Sequence, residues 1–143
     1  MGANFAKNSE APKAESGSMV LIPVSPGELI DKMTILAIKT ERVKDERKQA
    51  MAAQELALLQ AAAAGLITPE IAALTASIKT VNLALWEIED DLRALERAQD
   101  FGPRFVALAR SVYRTNDERA RLKNAISAAA GSAMVEVKEH PDY

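Results

Sequence analysis

The 143-residue chain has no cysteine and a single histidine, His140, near its C-terminus. Absent thiols exclude disulfides, thiolate zinc sites, iron–sulfur clusters and cysteine nucleophiles. A lone histidine removes two-histidine metal sites and leaves Thr34, Ser111 and Thr115 without a histidine to activate them. Neither a metal nor an organic cofactor is expected. Aromatic residues make up only 4%, and there are 6 glycines and 6 prolines, which favours helix over a turn-rich β-sandwich. The net charge of −2 provides no strong field for nucleic acid or an anionic membrane. No run of about 18 apolar residues is found to span a bilayer. A cytoplasmic protein with no nucleic-acid partner and no membrane span is the expectation.

Residues 1–18 lack both apolar periodicity and an apolar signal-peptide core, and they read as a disordered N-terminal arm. The remainder, 19–143, reads as one helical domain. Ser25 followed three residues later by Glu28 forms a capping box, with Pro26 at the first helical position. From there to Ala64 the only breaker is Gly27, so the spacing predicts a first helix over about 26–64, about 57 Å long. Its middle, RVKDERKQ, is polar all round, and the helix either bends near 44–50 or projects to meet a partner. Thr68-Pro69-Glu70 starts a second helix, about 69–98. There Ile71, Leu74, Ile78, Val81, Leu85, Ile88, Leu92 and Leu95 keep an unbroken three–four alternation, the mark of lengthwise helix packing. Asp100-Phe101-Gly102-Pro103 breaks that pattern and opens a third helix, about 103–130, which ends before Gly131. The expected fold is all-α, an antiparallel three-helix bundle with a long first helix and a short extended C-terminal tail, 132–143. Val135 and Val137 of that tail alternate and are candidates to pair with Val20–Ile22.

On the second helix, at 100° per residue, Asn82, Trp86, Glu89 and Arg93 fall within 60° of one another and flank the apolar ridge. An amide, the only indole, a carboxylate and a guanidinium in one stripe make either a shielded half-buried tryptophan or a recognition groove. On the third helix Arg110, Arg114, Asp117 and Arg121 share a stripe, with Tyr113 and Asn116 beside it. Six basic residues against two acidic ones give +4 over 103–124, while 69–98 carries −3. Opposite-signed neighbours pair with each other, or the arginines bind phosphate or carboxylate through their fork geometry. The ligand-binding candidates are therefore Asn82, Trp86, Arg93, Arg110, Tyr113, Arg114 and Asn116, with Glu89 and Asp117 as candidate acid/base groups should the protein be an enzyme. On the first helix Ser25, Glu28, Asp31 and Lys32 form a motif. Its carboxylates lie one turn apart, a spacing used for Mg²⁺, although Glu28 is already explained by the cap.

Three blocks, Pro23–Leu36 (PVSPGELIDKMTIL), Asn82–Asp90 (NLALWEIED) and Ala109–Ala120 (ARSVYRTNDERA), resemble a family of small uncharacterised bacterial proteins, a domain of unknown function. Its members tend to be encoded near glycosyltransferase and surface-polysaccharide genes. The likeness implies motif positions at Ser25, Glu28, Asp31, Lys32, Asn82, Trp86, Glu89, Asp90, Arg110, Tyr113, Asn116 and Asp117, and a polysaccharide context. A weaker likeness runs to the helical chorismate mutases, small intertwined dimers. The expected function is a helical binding module that homodimerises through its long first helix and takes a partner protein or an anionic sugar derivative. The alternative is a small all-α enzyme or anionic-ligand binder with its site between the second and third helices.

Overall fold

The computed structural model describes residues 18–132 and 137. Four α-helices follow in order: α1 Pro26–Arg42, α2 Glu46–Ala63, α3 Pro69–Arg97 and α4 Pro103–Ala129. No strand occurs among the described residues. The all-α expectation holds, but the bundle has four helices, because the long first helix is two shorter ones. At Val43 the backbone turns extended, and Asp45 caps a new start by accepting the Lys48 N–H at 3.0 Å. The polar RVKDERKQ stretch offers no apolar face to hold a straight rod, and an N-cap aspartate stabilises a fresh helix by about 1 kcal/mol. The chain then doubles back: Gln49 donates to the Thr40 carbonyl, and Lys32 meets Glu55 at 2.8 Å. These contacts run α2 antiparallel to α1, the one helix it packs along.

Ser25 caps α1 by accepting the Glu28 N–H at 3.2 Å. The carboxylate of Glu28 does not return to the cap; it meets Lys123 of α4 at 3.0 Å. One turn away, Gly27 donates its N–H to Ser127 Oγ at 2.9 Å. A Cβ at Gly27 would lie 2.1 Å from the Lys123 carbonyl oxygen, so only glycine lets α1 and α4 approach this closely.

The core gathers Ile30, Ala63, Ile71, Ile78, Leu122 and Ile126, with Leu29, Met33, Leu74 and Val81 packed against it. The ridge predicted on α3 does face inward: Ile71 and Ile78 are buried, and the other six are at least half-buried. Burial is uneven along it. Beyond Asn82 no α3 residue is fully buried, and on α4 burial begins at Ala120. One end of the molecule is thus a packed core, and the other is an antiparallel α3–α4 hairpin covered only in part by α1. By length and composition α3 would also pass for a membrane-crossing helix, since a core helix and a span share those two properties.

Most of the expected N-terminal arm and of the C-terminal tail, including Val135, lies outside the described residues. Val20, Leu21 and Ile22 are exposed, as is Val137.

Candidate functional site

The centre of the molecule holds a polar cluster that apolar patterning does not announce. Ile30, Asp31, Thr34 and Ile38 all point inward from α1, so a carboxylate is carried into the core; Asp31 is 3% exposed. A buried carboxylate needs a counter-charge and hydrogen bonds, and both are present. Arg119 of α4 grips it in a fork, Nε to Oδ1 at 2.8 Å and Nη2 to Oδ2 at 2.6 Å. From α3, Asn82 Nδ2 donates to Asp31 Oδ1 and to Thr34 Oγ1, each at 2.9 Å. The Thr34 hydroxyl in turn donates a hydrogen bond to the Asp31 backbone carbonyl at 2.7 Å. One residue from each of three helices is thereby fixed around a single carboxylate.

Above this cluster a cleft of about 500 Å³ opens between α1, α3 and α4. Ile35 and Ile38 of α1, Leu85 of α3 and Val112 of α4 form its apolar walls. Asn82 and Arg119 belong to its floor, Trp86 is half-buried in it, and Glu89, Asp90, Arg93 and Asn116 complete the lining. The volume falls in the range of small-molecule sites. Much of its polar lining is not spent on the protein. Among the described residues nothing hydrogen-bonds Asn116, Asp90 or the Trp86 indole N–H, while Arg93 lies 4.0 Å from Glu89.

Of the residues expected here, Asn82, Trp86, Glu89, Arg93 and Asn116 do converge. Arg110 and Arg114 do not: they sit roughly 120–160° round α4 from Asn116 at 100° per residue, on the exposed side. Tyr113 is with them, and its hydroxyl is held below the usual tyrosine range, first by a hydrogen bond from Arg110 and then by the charges of Arg110 and Arg114. Asp117 is half-buried outside the cleft, so of the two alternative acid/base candidates only Glu89 lines it. Glu118, also beyond the cleft, has its carboxyl lowered by its hydrogen bonds with Arg121. The first-helix motif divides among different tasks. Ser25 caps, Glu28 meets Lys123, Asp31 anchors the buried cluster and Lys32 pairs with Glu55 on the surface. Glu28 and Asp31 are therefore held by different cations. The opposite charges of α3 and α4 do meet across the hairpin, Arg104 with Asp91 at 3.6 Å, and α3 also pairs with α1 through Arg42 and Glu87 at 3.5 Å.

Arg119 was missed by pattern reading, along with the cleft wall of Ile35, Ile38, Leu85 and Val112. The available signal was Asp31: an acid flanked by inward-facing Ile30, Thr34 and Ile38 demands a cation, and Arg119 lies three residues from Asn116 on α4.

The family described as one of unknown function, DUF6165, has a model that matches residues 20–141. No curated protein and no solved structure matches the chain.

Proposed function

The chain belongs to DUF6165, and we propose that it is a binding module whose Trp86 cleft takes a small organic ligand. The observation that carries this reading is a concave site with an indole platform, apolar walls and polar groups that no described residue engages. The half-buried Asn116 amide and Trp86 indole N–H support a ligand, because polar groups drawn back from bulk water are normally completed by a partner. The polysaccharide context of the sequence resemblance accords with a sugar-sized occupant.

Trp86 is the chain's only tryptophan, so tryptophan emission, excited selectively over tyrosine, reports on this cleft alone. A panel of monosaccharides, nucleotide sugars, sugar phosphates and dicarboxylates, read by Trp86 emission and by thermal shift, tests the proposal. A ligand at 100 times its Kd adds about 2.7 kcal/mol of stability, and Trp86→Ala should abolish that gain. Stabilisation that survives Trp86→Ala places the ligand elsewhere and refutes the reading.

Self-association is a second reading, supported by Phe101 and Val106 at the hairpin tip, 49% and 51% exposed. It replaces the route through a first-helix rod, since that rod is absent. Sedimentation equilibrium on the wild type and Val106→Glu tests it: a dimer dispersed by the charge supports it, and a monomer at tens of micromolar ends it.

A further inference from the structure

The floor of the cleft has a polarity set by the cluster beneath it, and from this we infer that the ligand is a non-anionic, hydroxyl-bearing ring that donates a hydrogen bond to Asn82. The inference rests on the Trp86 cleft being a ligand site and deepens that reading.

Asn82 is 5% exposed. An amide can ordinarily turn over and offer either its oxygen or its nitrogen. This one cannot. Both Nδ2 protons are committed toward α1, one to the Asp31 carboxylate, which only accepts, and one to Thr34 Oγ1, whose own proton goes to a carbonyl. Reversal would set the amide oxygen against the Asp31 charge. The Oδ1 atom is therefore the polar face left for the cleft, and no described residue donates to it. A buried acceptor without a protein donor is completed by a donor from outside: a hydroxyl or an amine fits there, and a phosphate or carboxylate does not.

The charges agree. The lining brings Glu89 and Asp90 against Arg93 and Arg119, and Arg119 already holds Asp31 in its fork. Counted with Asp31, three carboxylates face two guanidiniums, so an anion meets no surplus of positive charge. This runs against the anionic sugar derivative that the basic stripe of α4 suggests, because Arg110 and Arg114 of that stripe point away from the cleft. The upper rim supplies what a hydroxylated ring uses. Trp86 offers an apolar face for stacking, Asn116 offers both a donor and an acceptor, and Glu89 and Asp90 accept further hydroxyl protons.

Calorimetric titration of the full chain with neutral sugars, with their phosphate and uronic-acid counterparts and with deoxy analogues tests the inference. Trp86 emission locates each binder. Neutral rings should bind at Trp86, and their phosphates and uronates about tenfold or more weakly. Some deoxy analogue should lose most of the affinity. Asn116→Ala, which removes an amide with no partner among the described residues and so leaves their packing intact, should weaken the neutral ring about fivefold. Anionic counterparts that bind more tightly at Trp86 would overturn the ligand class while leaving the cleft a ligand site. No binder of any class at Trp86 would overturn both.

Discussion

Asp31 of α1 and Arg119 of α4 are joined by two parallel hydrogen bonds of 2.8 and 2.6 Å, with the carboxylate buried and the guanidinium side chain 27% exposed. The exposure differs across the pair, and so does the expected cost of breaking it. Arg119→Gln leaves a buried carboxylate with an amide where its cation stood, and should cost about 3–5 kcal/mol. Asp31→Asn leaves a guanidinium that can turn to solvent, and should cost less. Urea denaturation of the two variants checks the order; losses of under about 1 kcal/mol in both would mean the pair is no more than a surface bridge.

Gly27 sits where α1 lies directly against the backbone of α4. Gly27→Ala puts a methyl group against the Lys123 backbone, and backbone cannot swing aside as a side chain does. The expected loss is about 1–3 kcal/mol, measurable as a lower urea midpoint. Ser127→Ala, which only deprives the Gly27 N–H of its acceptor, should cost about 1 kcal/mol.

The C-terminus of α3 has an opening for stabilisation. Gln99 adopts φ 52° and closes the helix with its N–H to the Glu96 carbonyl at 3.0 Å, while Asp100 N–H reaches Leu95 at 2.9 Å. Gly131 plays the same part at the end of α4, with φ 74°. Glycine takes this conformation without the Cβ penalty. Gln99→Gly should raise stability by about 0.5–1 kcal/mol, read as an increase in Tm; a decrease would show that the Gln99 side chain contributes more than the strain it causes.

Tyr113 is expected to ionise before an ordinary tyrosine. A lowered pKa means the folded state favours the phenolate, because the Arg110 hydrogen bond strengthens on ionisation. That preference adds stability above the unfolded tyrosine pKa and is lost as pH falls through the folded value. Spectrophotometric titration, with Tyr113→Phe assigning the early phenolate step, measures it. Arg110→Gln should move the step up towards the normal range.

The helical period, the starts at Ser25, Thr68 and Pro103, and the inward face of α3 were legible because each depends on residues a few positions apart. The stop at Val43 was legible only as a weak place, since a polar stretch fits an exposed helix as well as a reversal. What decided for reversal was the docking of α2 on α1, a contact between distant residues. The candidate site was half-legible for the same reason. Asn82, Trp86, Glu89 and Arg93 share one helix, so periodicity groups them, and Asn116 came with its own helix. The fork of Arg119 on Asp31 joins residues 88 positions apart, and no spacing rule encodes that distance. The arginines of α4 misled because local charge says nothing of which way the helix is turned.

Since the chain has one tryptophan, its indole N–H gives one signal in a nitrogen–proton NMR correlation spectrum, and that signal tests the central claim most directly. Titration with neutral hydroxylated rings should shift the Trp86 indole peak together with the side-chain amide peaks of Asn82 and Asn116, along one saturating curve. An indole signal that stays fixed while every ligand class is taken to millimolar concentration would contradict the assignment of this cleft as a binding site.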